Sequence, residues 1–475
     1  MHDFERDVRD WARGEFGSAQ LGDRRRISRL VRVGTLAAMH PDGRISEVFR
    51  SDADRQGAYD LIENPSVRAE HIAESVFAAT ARRCVGNTCV LVALDGTSIK
   101  LWDGKNTKDF GAIGTYANGA RGLKLINGLA IDTDGTPIGL CTQVWWKRPV
   151  DREPPIRWKF RRKLEETETV HWRTAVHSVA DYFAAHAPDT RCWFQIDRGG
   201  DARRLLKELN ASSHWFTVRA QTNRRIRGQS RRRDYLWQRL EREPALGSFT
   251  IDVPPKPGRR GRRARISVRS AKVTLVLRDR WLHKYEELTV NAVYVKEDGR
   301  TARGCTPLDW VLLTNHPVAN FKNAKKVAES YTRRWRIEEF HKTWKTGACN
   351  VERSQLRKTA HVIKWATILS VVAARIERLK YLARNEPNLP ATDEFQAHEL
   401  RALVLLKRQT KKANEVVPDT TPTIHQAVTW IAELGGYTGK SSGGPPGTIT
   451  IARGMERLQP AAELMRALIE SGQLR

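Results

Sequence analysis

Three acidic side chains stand in settings where a carboxylate could do more than solvate a surface. Two of them follow short apolar runs: Cys89-Val90-Leu91-Val92-Ala93-Leu94 ends on Asp95-Gly96-Thr97-Ser98, and Arg191-Cys192-Trp193-Phe194-Gln195-Ile196 ends on Asp197-Arg198-Gly199-Gly200. A run of this kind reads as a buried strand, and a carboxylate at its tip is well placed for chemistry and poorly placed for packing. Asp is also an ordinary turn residue after a strand, so each acid alone has both readings. The third is Glu338. At about 100° per residue, Tyr331, Arg334, Glu338, His341 and Lys345 share one stripe of a helix, beside a core-facing stripe of Ile337, Phe340 and Trp344. One carboxylate among cations and a phenol is either a solvated ion-pair face or a metal ligand flanked by groups that hold phosphates. Three carboxylates from separate elements suit phosphoryl transfer on DNA. Together they can hold two divalent cations, one activating the attacking oxygen and one stabilising the leaving oxygen.

The elements that must position these acids follow from the hydrophobic pattern. After the first strand, the runs Gly122 to Ile131 and Pro137 to Trp146 read as two more strands joined by a hairpin turn at Asp132-Thr133-Asp134-Gly135-Thr136. Thr167 to Ala185 has helical periodicity, and the Asp197 strand is followed by a helix from Ala202 to Leu209 and a strand from His214 to Val218. Three antiparallel strands, a helix and a fourth strand would make Asp95 and Asp197 neighbours. Leu308 to Thr314 is a further strand, one continuous helix from Asn323 carries Glu338, and the apolar stretch His361 to Leu379 is a buried core helix. The expected class is α/β, a mixed sheet flanked by helices.

Around this core the composition changes. Residues 1–70 are helical with an interleaved basic pattern, read either as a small DNA-binding module or as a helical cap with a solvated basic face. The first part of the core takes 71–220. From 221 to 305 lies a β-rich stretch with two cation clusters, one of Arg224, Arg225, Arg227, Arg231, Arg232 and Arg233, the other of Lys256, Arg259, Arg260, Arg262, Arg263, Arg265 and Arg269, with few compensating acids. The second part of the core takes 306–380, and 381–475 is helical with breaks, among them the loop Ser441 to Gly447. Over 475 residues, 82 Lys and Arg against 54 Asp and Glu leave a formal charge of +28. With a pI near 10.2, the partner is a polyanion, nucleic acid first, bound with a steep salt dependence. No apolar run approaches the roughly 18 to 20 residues of a membrane span, and the N-terminus opens no secretory signal. The six cysteines are scattered without a CxxC pair, which reads as reduced thiols in a cytoplasm.

The spacing Tyr331-x2-Arg334-x3-Glu338-x6-Lys345 resembles the Y-(2)-R-(3)-E-(6)-K signature of the insertion-sequence-four family of bacterial DDE transposases. The resemblance extends through Trp11-Ala12, Leu21-Gly22-Asp23-x-Arg25-Arg26, Gly57-Ala58-Tyr59, Asn64-Pro65, Trp145-Trp146-x-Arg148-Pro149, Asp197-Arg198 and Pro307-Leu308-x-Trp310-x-Leu312-Leu313-Thr314. It fades in the C-terminal part. The resemblance implies an RNase H-like core interrupted by a β insertion, with Asp95, Asp197 and Glu338 as catalytic acids and ligands of two Mg²⁺ ions, for which Mn²⁺ would substitute. Tyr331, Arg334 and Lys345 would hold phosphates near the transposon end, and Trp310 would pack by a flipped base. Arg219, Arg25, Arg26 and Lys342 are further DNA-contact candidates. The implied activity is cut-and-paste transposition through a hairpin intermediate, on double-stranded transposon ends and target DNA. The acting species would be a homodimer in a paired-end complex, cytoplasmic and nucleoid-associated, with no membrane partner.

Two other readings are weighed against this one. An RNase H-like nuclease without strand transfer needs neither the basic N-terminal helices nor the β insertion. A non-catalytic end-binding inhibitor of transposition predicts a missing acid or a truncation, and all three acids are present. Glu339 falls off the stripe and is expected to tolerate replacement.

Overall fold

The computed structural model describes residues 8–105, 107–114, 119–150, 167–228, 234–253, 261–279, 284–299, 305–411, 415–418, 420–440 and 444–474. Arg231, Arg232, Arg233, Lys256, Arg259 and Arg260 of the basic clusters and part of the Ser441–Gly447 loop lie outside the described residues.

Five helices open the chain: α1 (Val8–Phe16), α2 (Arg24–Met39), α3 (Ile45–Val48), α4 (Asp52–Glu63) and α5 (Ala69–Arg83). Side-chain caps start two of them. Asp23 accepts from the Arg25 backbone N–H at 2.7 Å, and Ser51 Oγ accepts from that of Asp54 at 3.1 Å. The strands β1 (Cys89–Lys100), β2 (Gly111–Ala112), β3 (Arg121–Ile131) and β4 (Pro137–Trp146) follow. Between β3 and β4 the chain turns at Gly135, whose φ of +112° is open to a residue without a β-carbon. Then come α6 (Thr169–His186), β5 (Arg191–Ile196), α7 (Arg203–Ala211) and β6 (Trp215–Arg219).

The sheet continues from there. Residues 225–297 hold β7 (Arg225–Ile226), β8 (Asp234–Tyr235), α8 (Leu236–Arg242), β9 (Gly247–Val253), β10 (Arg262–Asp279) and β11 (Lys284–Glu297), and β12 (Asp309–Thr314) comes next. β12 pairs with both β6 and β11, so the strand order runs β2-β3-β1-β5-β6-β12-β11-β10-β7-β8, with β4 on β3 and β9 on β10. The stretch read from sequence as an insertion is therefore the outer half of the same sheet. The β1–β5–β6 pairs are parallel and the β1–β3–β4 pairs antiparallel, which makes a mixed sheet of RNase H-like order. Helices α9 (Phe321–Arg333), α10 (Trp335–Lys345) and α11 (Thr359–Asn385) complete the core, and α12 (Ala397–Thr410), α13 (Ile424–Leu434) and α14 (Thr448–Glu470) form the C-terminal part.

Strand parity decides which face each acid sees. Leu91 and Ala93 pack into one apolar cluster, with Ile337, Phe340 and Trp344 of α10 and much of α11. Val90, Val92 and Leu94 pack into another, with Val176, Val179 and Phe183 of α6. A strand covered on both faces is apolar throughout, as observed. Asp95 continues the Leu91/Ala93 face, toward α10. Full burial of Ile337, Phe340 and Trp344 anchors α10, each contributing about 1.5–3 kcal/mol.

Four expectations change. Asp95 is not at a strand tip, because β1 runs on to Lys100 through its pairing with β3, and ends early only relative to β5. The helix read as continuous is two helices meeting at Arg334, where Arg334 N–H donates to Tyr331 C=O and Ile337 N–H to Arg334 C=O in tight i to i+3 bonds. Arg334 keeps helical dihedrals, so the stripe survives the joint. Among the described residues one helix, α11, is long and apolar enough to cross a membrane, yet most of its apolar stretch is buried among the other elements, as a core helix requires. The basic clusters are also less bare than their local sequence implies. Arg224 pairs with Asp201, Arg227 with Glu287 and Arg262 with Glu297, because the acids arrive from other strands and turns.

Candidate active site

Leu94 and Ile196 are the last paired residues of the parallel β1/β5 ladder, so the residues that follow, Asp95 and Asp197, emerge side by side. Asp197 then turns the chain, its Oδ1 accepting from the Gly199 N–H at 2.8 Å. Glu338 reaches the same place from the first turn of α10. Arg334 lies between these acids, with Nη1 3.6 Å from Asp95 Oδ1 and Nη2 donating to Glu338 Oε1 at 3.1 Å.

Two carboxylates thus share one guanidinium with the charge of Asp197 nearby, and the balance shows in the protonation energetics. Burial pushes the Asp95 carboxyl up to about 7; Arg334 opposes this, while Glu338 and Asp197 add to it. Arg334 loses by burial but gains more from Tyr331, Asp95, Glu338 and Asp197, and its pKa is raised. The acid cluster is under-neutralised by the chain's own cations, and its donors are all hard oxygens, so the residues fit divalent cations. Among the described residues no three acid, His or Cys side chains meet at one ion position. Arg334, bridging Asp95 and Glu338, lies where they would converge.

The rest of the stripe is packed rather than solvated. Tyr331 is buried and meets Trp310 edge to face, centroids 5.5 Å apart, while Arg334 lies 5.8 Å from the Tyr331 ring. Burial raises the Tyr331 pKa, which keeps the phenol protonated as a donor. Arg219, at the end of β6, stacks over Trp310 at 5.9 Å and donates to the Asp309 carbonyl at 3.1 Å. Arg219, Trp310, Tyr331 and Arg334 therefore form one continuous row leading to the acids. Lys345 Nζ lies 3.4 Å from Thr97 Oγ1 and 3.6 Å from Glu352. Lys342 is exposed one turn beyond Glu338. Arg25 and Arg26 are on α2, apart from the acids, with Arg26 donating to the Leu21 carbonyl at 3.0 Å.

The sequence reading missed the polar residues behind the site. His341 Nδ1 is 3.6 Å from Asp95 Oδ2, and its Nε2 is 3.0 Å from Asn127 Nδ2. Burial, with Lys345 and Arg334 nearby, pushes the His341 pKa down to about 3, so the ring is neutral. The signal was present: Asn127 interrupts the apolar strand Leu123 to Ile131. Also missed was a cleft of about 560 Å³ beside the acids, lined by Thr97, Ser98, Lys124, Trp146, Glu168 and Trp172. There Glu168 accepts from Lys124 at 2.7 Å and is salt-bridged to Arg148.

Comparison with protein families adds three matches in chain order. Residues 8–67 match a transposase DNA-binding family, 163–374 a transposase DDE domain, and 371–469 the dimerisation domain of the Tn5 transposase. The chain belongs to the Tn5-like DDE transposases. It is a DNA transposase, an enzyme that cleaves and transfers DNA strands, and its partners are DNA and a second copy of itself. The DDE match contains Asp197 and Glu338 but begins after Asp95, which joins them through the β1/β5 register. The dimerisation match covers the C-terminal stretch where the resemblance read from sequence fades. The basic N-terminal helices, open to two readings from sequence, fall in the DNA-binding match.

Proposed function

We propose that the transposase works by cut-and-paste, with Asp95, Asp197 and Glu338 as the catalytic acids. The observation that carries this reading is that Asp95 of β1 and Glu338 of α10 share the Arg334 guanidinium, while the β1/β5 register brings Asp197 out beside Asp95. These acids would hold two divalent cations, Mg²⁺ by the hardness of the donors and Mn²⁺ as a substitute, which when bound activate the attacking oxygen and neutralise the leaving one.

The chain's own groups supply positioning. Arg334 and Lys345 present cations to the phosphate at the transposon end, and the protonated Tyr331 donates beside them. Trp310, backed by Arg219 and Tyr331, offers an aromatic platform that offsets the unstacking of an extruded base. Lys342 extends the basic face, while Arg25 and Arg26 in the N-terminal helices track the phosphates of the end sequence. Four phosphoryl transfers at this one site, two to water and two to a 3′-OH, complete the reaction. Water attacks the phosphodiester at the transposon end and leaves a 3′-OH there. That 3′-OH attacks the opposite strand, closes a hairpin and releases the flanking DNA. Water reopens the hairpin, and the regenerated 3′-OH attacks a target phosphodiester and releases a target 3′-OH. Residues 1–70 would bind ends, 71–220 and 306–380 would carry the chemistry, 221–305 would clamp DNA, and 381–475 would pair two copies in a paired-end complex acting on the cytoplasmic nucleoid.

The test uses the full chain with a duplex bearing the inverted end found in its flanking genomic DNA, in Mg²⁺. Nicked, hairpin and joined products in sequence support the proposal. Cleavage without hairpin or joining, even with a precut 3′-OH donor end, would instead establish the nuclease reading.

A further inference from the structure

We propose that His341 is a positioning residue for this reaction: its ring, held in one tautomer by Asn127, sets the orientation of the Asp95 carboxylate. This rests on the reading of Asp95 as a catalytic acid. Asp95 opposes Asn127 in the β1/β3 pair, and Asn127 opposes Gln143 in the β3/β4 pair, so the three side chains stand in a row on one sheet face. His341, 7 % exposed on α10, lies against this row. Gln143 Nε2 donates to Asn127 Oδ1 at 2.8 Å, which turns the Asn127 amide nitrogen toward His341 Nε2 at 3.0 Å. A ring nitrogen that accepts from an amide carries no proton, so the proton of the neutral ring sits on Nδ1, facing Asp95 Oδ2 at 3.6 Å. The opposite tautomer would aim a lone pair at the carboxylate.

At 3.6 Å the contact is longer than a hydrogen bond, so the N–H acts on Oδ2 as an oriented dipole and the ring as a wall. The other oxygen, Oδ1, faces Arg334 Nη1, also at 3.6 Å. One side of the carboxylate thus meets a guanidinium shared with Glu338, and the other a ring fixed from behind. A carboxylate that must share cations with two others has to present its lone pairs in one direction, and partners behind a ligand commonly set that direction.

Side-chain isosteres separate this role from packing. An Asn at 341 places its amide near the ring's Nδ1, whereas a Gln reaches the Nε2 position and loses the group facing Asp95. His341→Gln is expected to weaken Mn²⁺ binding by the DNA-free protein, followed by calorimetry, on the order of 10- to 100-fold. Cleavage should fall similarly, with the Kd for end DNA unchanged, and His341→Asn should recover most of both losses. Nitrogen-15 shifts of the metal-free wild type should show protonated Nδ1 and bare Nε2. Equal losses in the two variants, wild-type behaviour of His341→Gln, or a proton on Nε2 would each overturn the proposal. Asp95→Asn is the control: if it still cleaves, the reading of the site itself fails, whereas a dead Asp95→Asn beside a wild-type His341→Gln removes only the role of His341. The nitrogen shifts decide the matter even if a variant does not fold.

Discussion

Glu338 and Glu339 are adjacent on α10 and sit in opposite electrostatic settings. Glu338 shares Arg334 with Asp95, and Asp197 adds a third negative charge nearby. Glu339 lies between Arg336, at 2.6 Å, and Lys380 of α11, at 3.6 Å. Lys380 also pairs with Glu377, which accepts from Thr343, and Arg336 stacks on Tyr381 at 4.5 Å. Burial alone would raise the Glu339 pKa, but Lys380 and Arg336 more than offset it and the carboxyl is held below its ordinary range. On the Asp95 side, burial and two like charges win against one guanidinium. A helix of eleven residues thus offers a neutralised side that fastens it to α11 and an under-neutralised side able to take cations. What distinguishes the proposed catalytic carboxylates from Glu339 is what their neighbours leave uncompensated.

The comparison is broken most directly by removing each acid. Asp95→Ala, Asp197→Ala or Glu338→Ala should each lower cleavage on the order of 10³-fold or more with end binding largely intact, as gel assays of both would show. If Glu339→Ala is dead and Glu338→Ala active, the two sides have been assigned the wrong way round. Salt is next in size. End affinity should drop roughly 10²- to 10³-fold between 50 and 200 mM salt, equally in wild type and Glu338→Ala, because phosphate contacts and not the acid cluster supply the affinity.

Stability sharpens the contrast further. The folded Asp95 pKa of about 7 lies above its ordinary value of 3.8. Its neutral form therefore favours folding fully below about pH 4, and that contribution is lost as pH rises through 7. Metal-free Asp95→Asn should accordingly melt above wild type at pH 8, by on the order of 2 kcal/mol, and the difference should vanish toward pH 4. Mg²⁺ should raise the wild-type melting point at pH 8 and leave Asp95→Asn unmoved. Glu339→Gln has the smallest expected effect on chemistry. It should lose about 1–2 kcal/mol of stability in chemical denaturation through Lys380 and Arg336, with cleavage within about fivefold of wild type.

Much of the core was legible because its signals are local. Continuous apolar runs mark β1, β3, β4 and β5, the hairpin turn at Gly135 needs a residue free of a β-carbon, and the Ile337, Phe340 and Trp344 stripe identifies the buried side of α10. What was misread depends on partners far away in the chain. Asp95 looked terminal because the apolar run stops there, but pairing with β3 carries the strand on. The basic stretch looked bare because Asp201 and Glu297 approach Arg224 and Arg262 only in the folded sheet. His341 looked like one more member of a charged stripe, and only the β3 register supplies Asn127 behind it.

The sequence by itself determined which residues could act and the face each would occupy, since period 2 in strands and period 3.6 in helices follow from backbone geometry alone. It also determined that the partner is a polyanion, because net charge needs no fold. The tertiary structure decided how the charges pair. Coulomb energies depend on separation and burial, and both are set by the β1/β5 register and the docking of α10. That is why neighbouring glutamates of identical chemistry end as an anchor and as a candidate metal ligand.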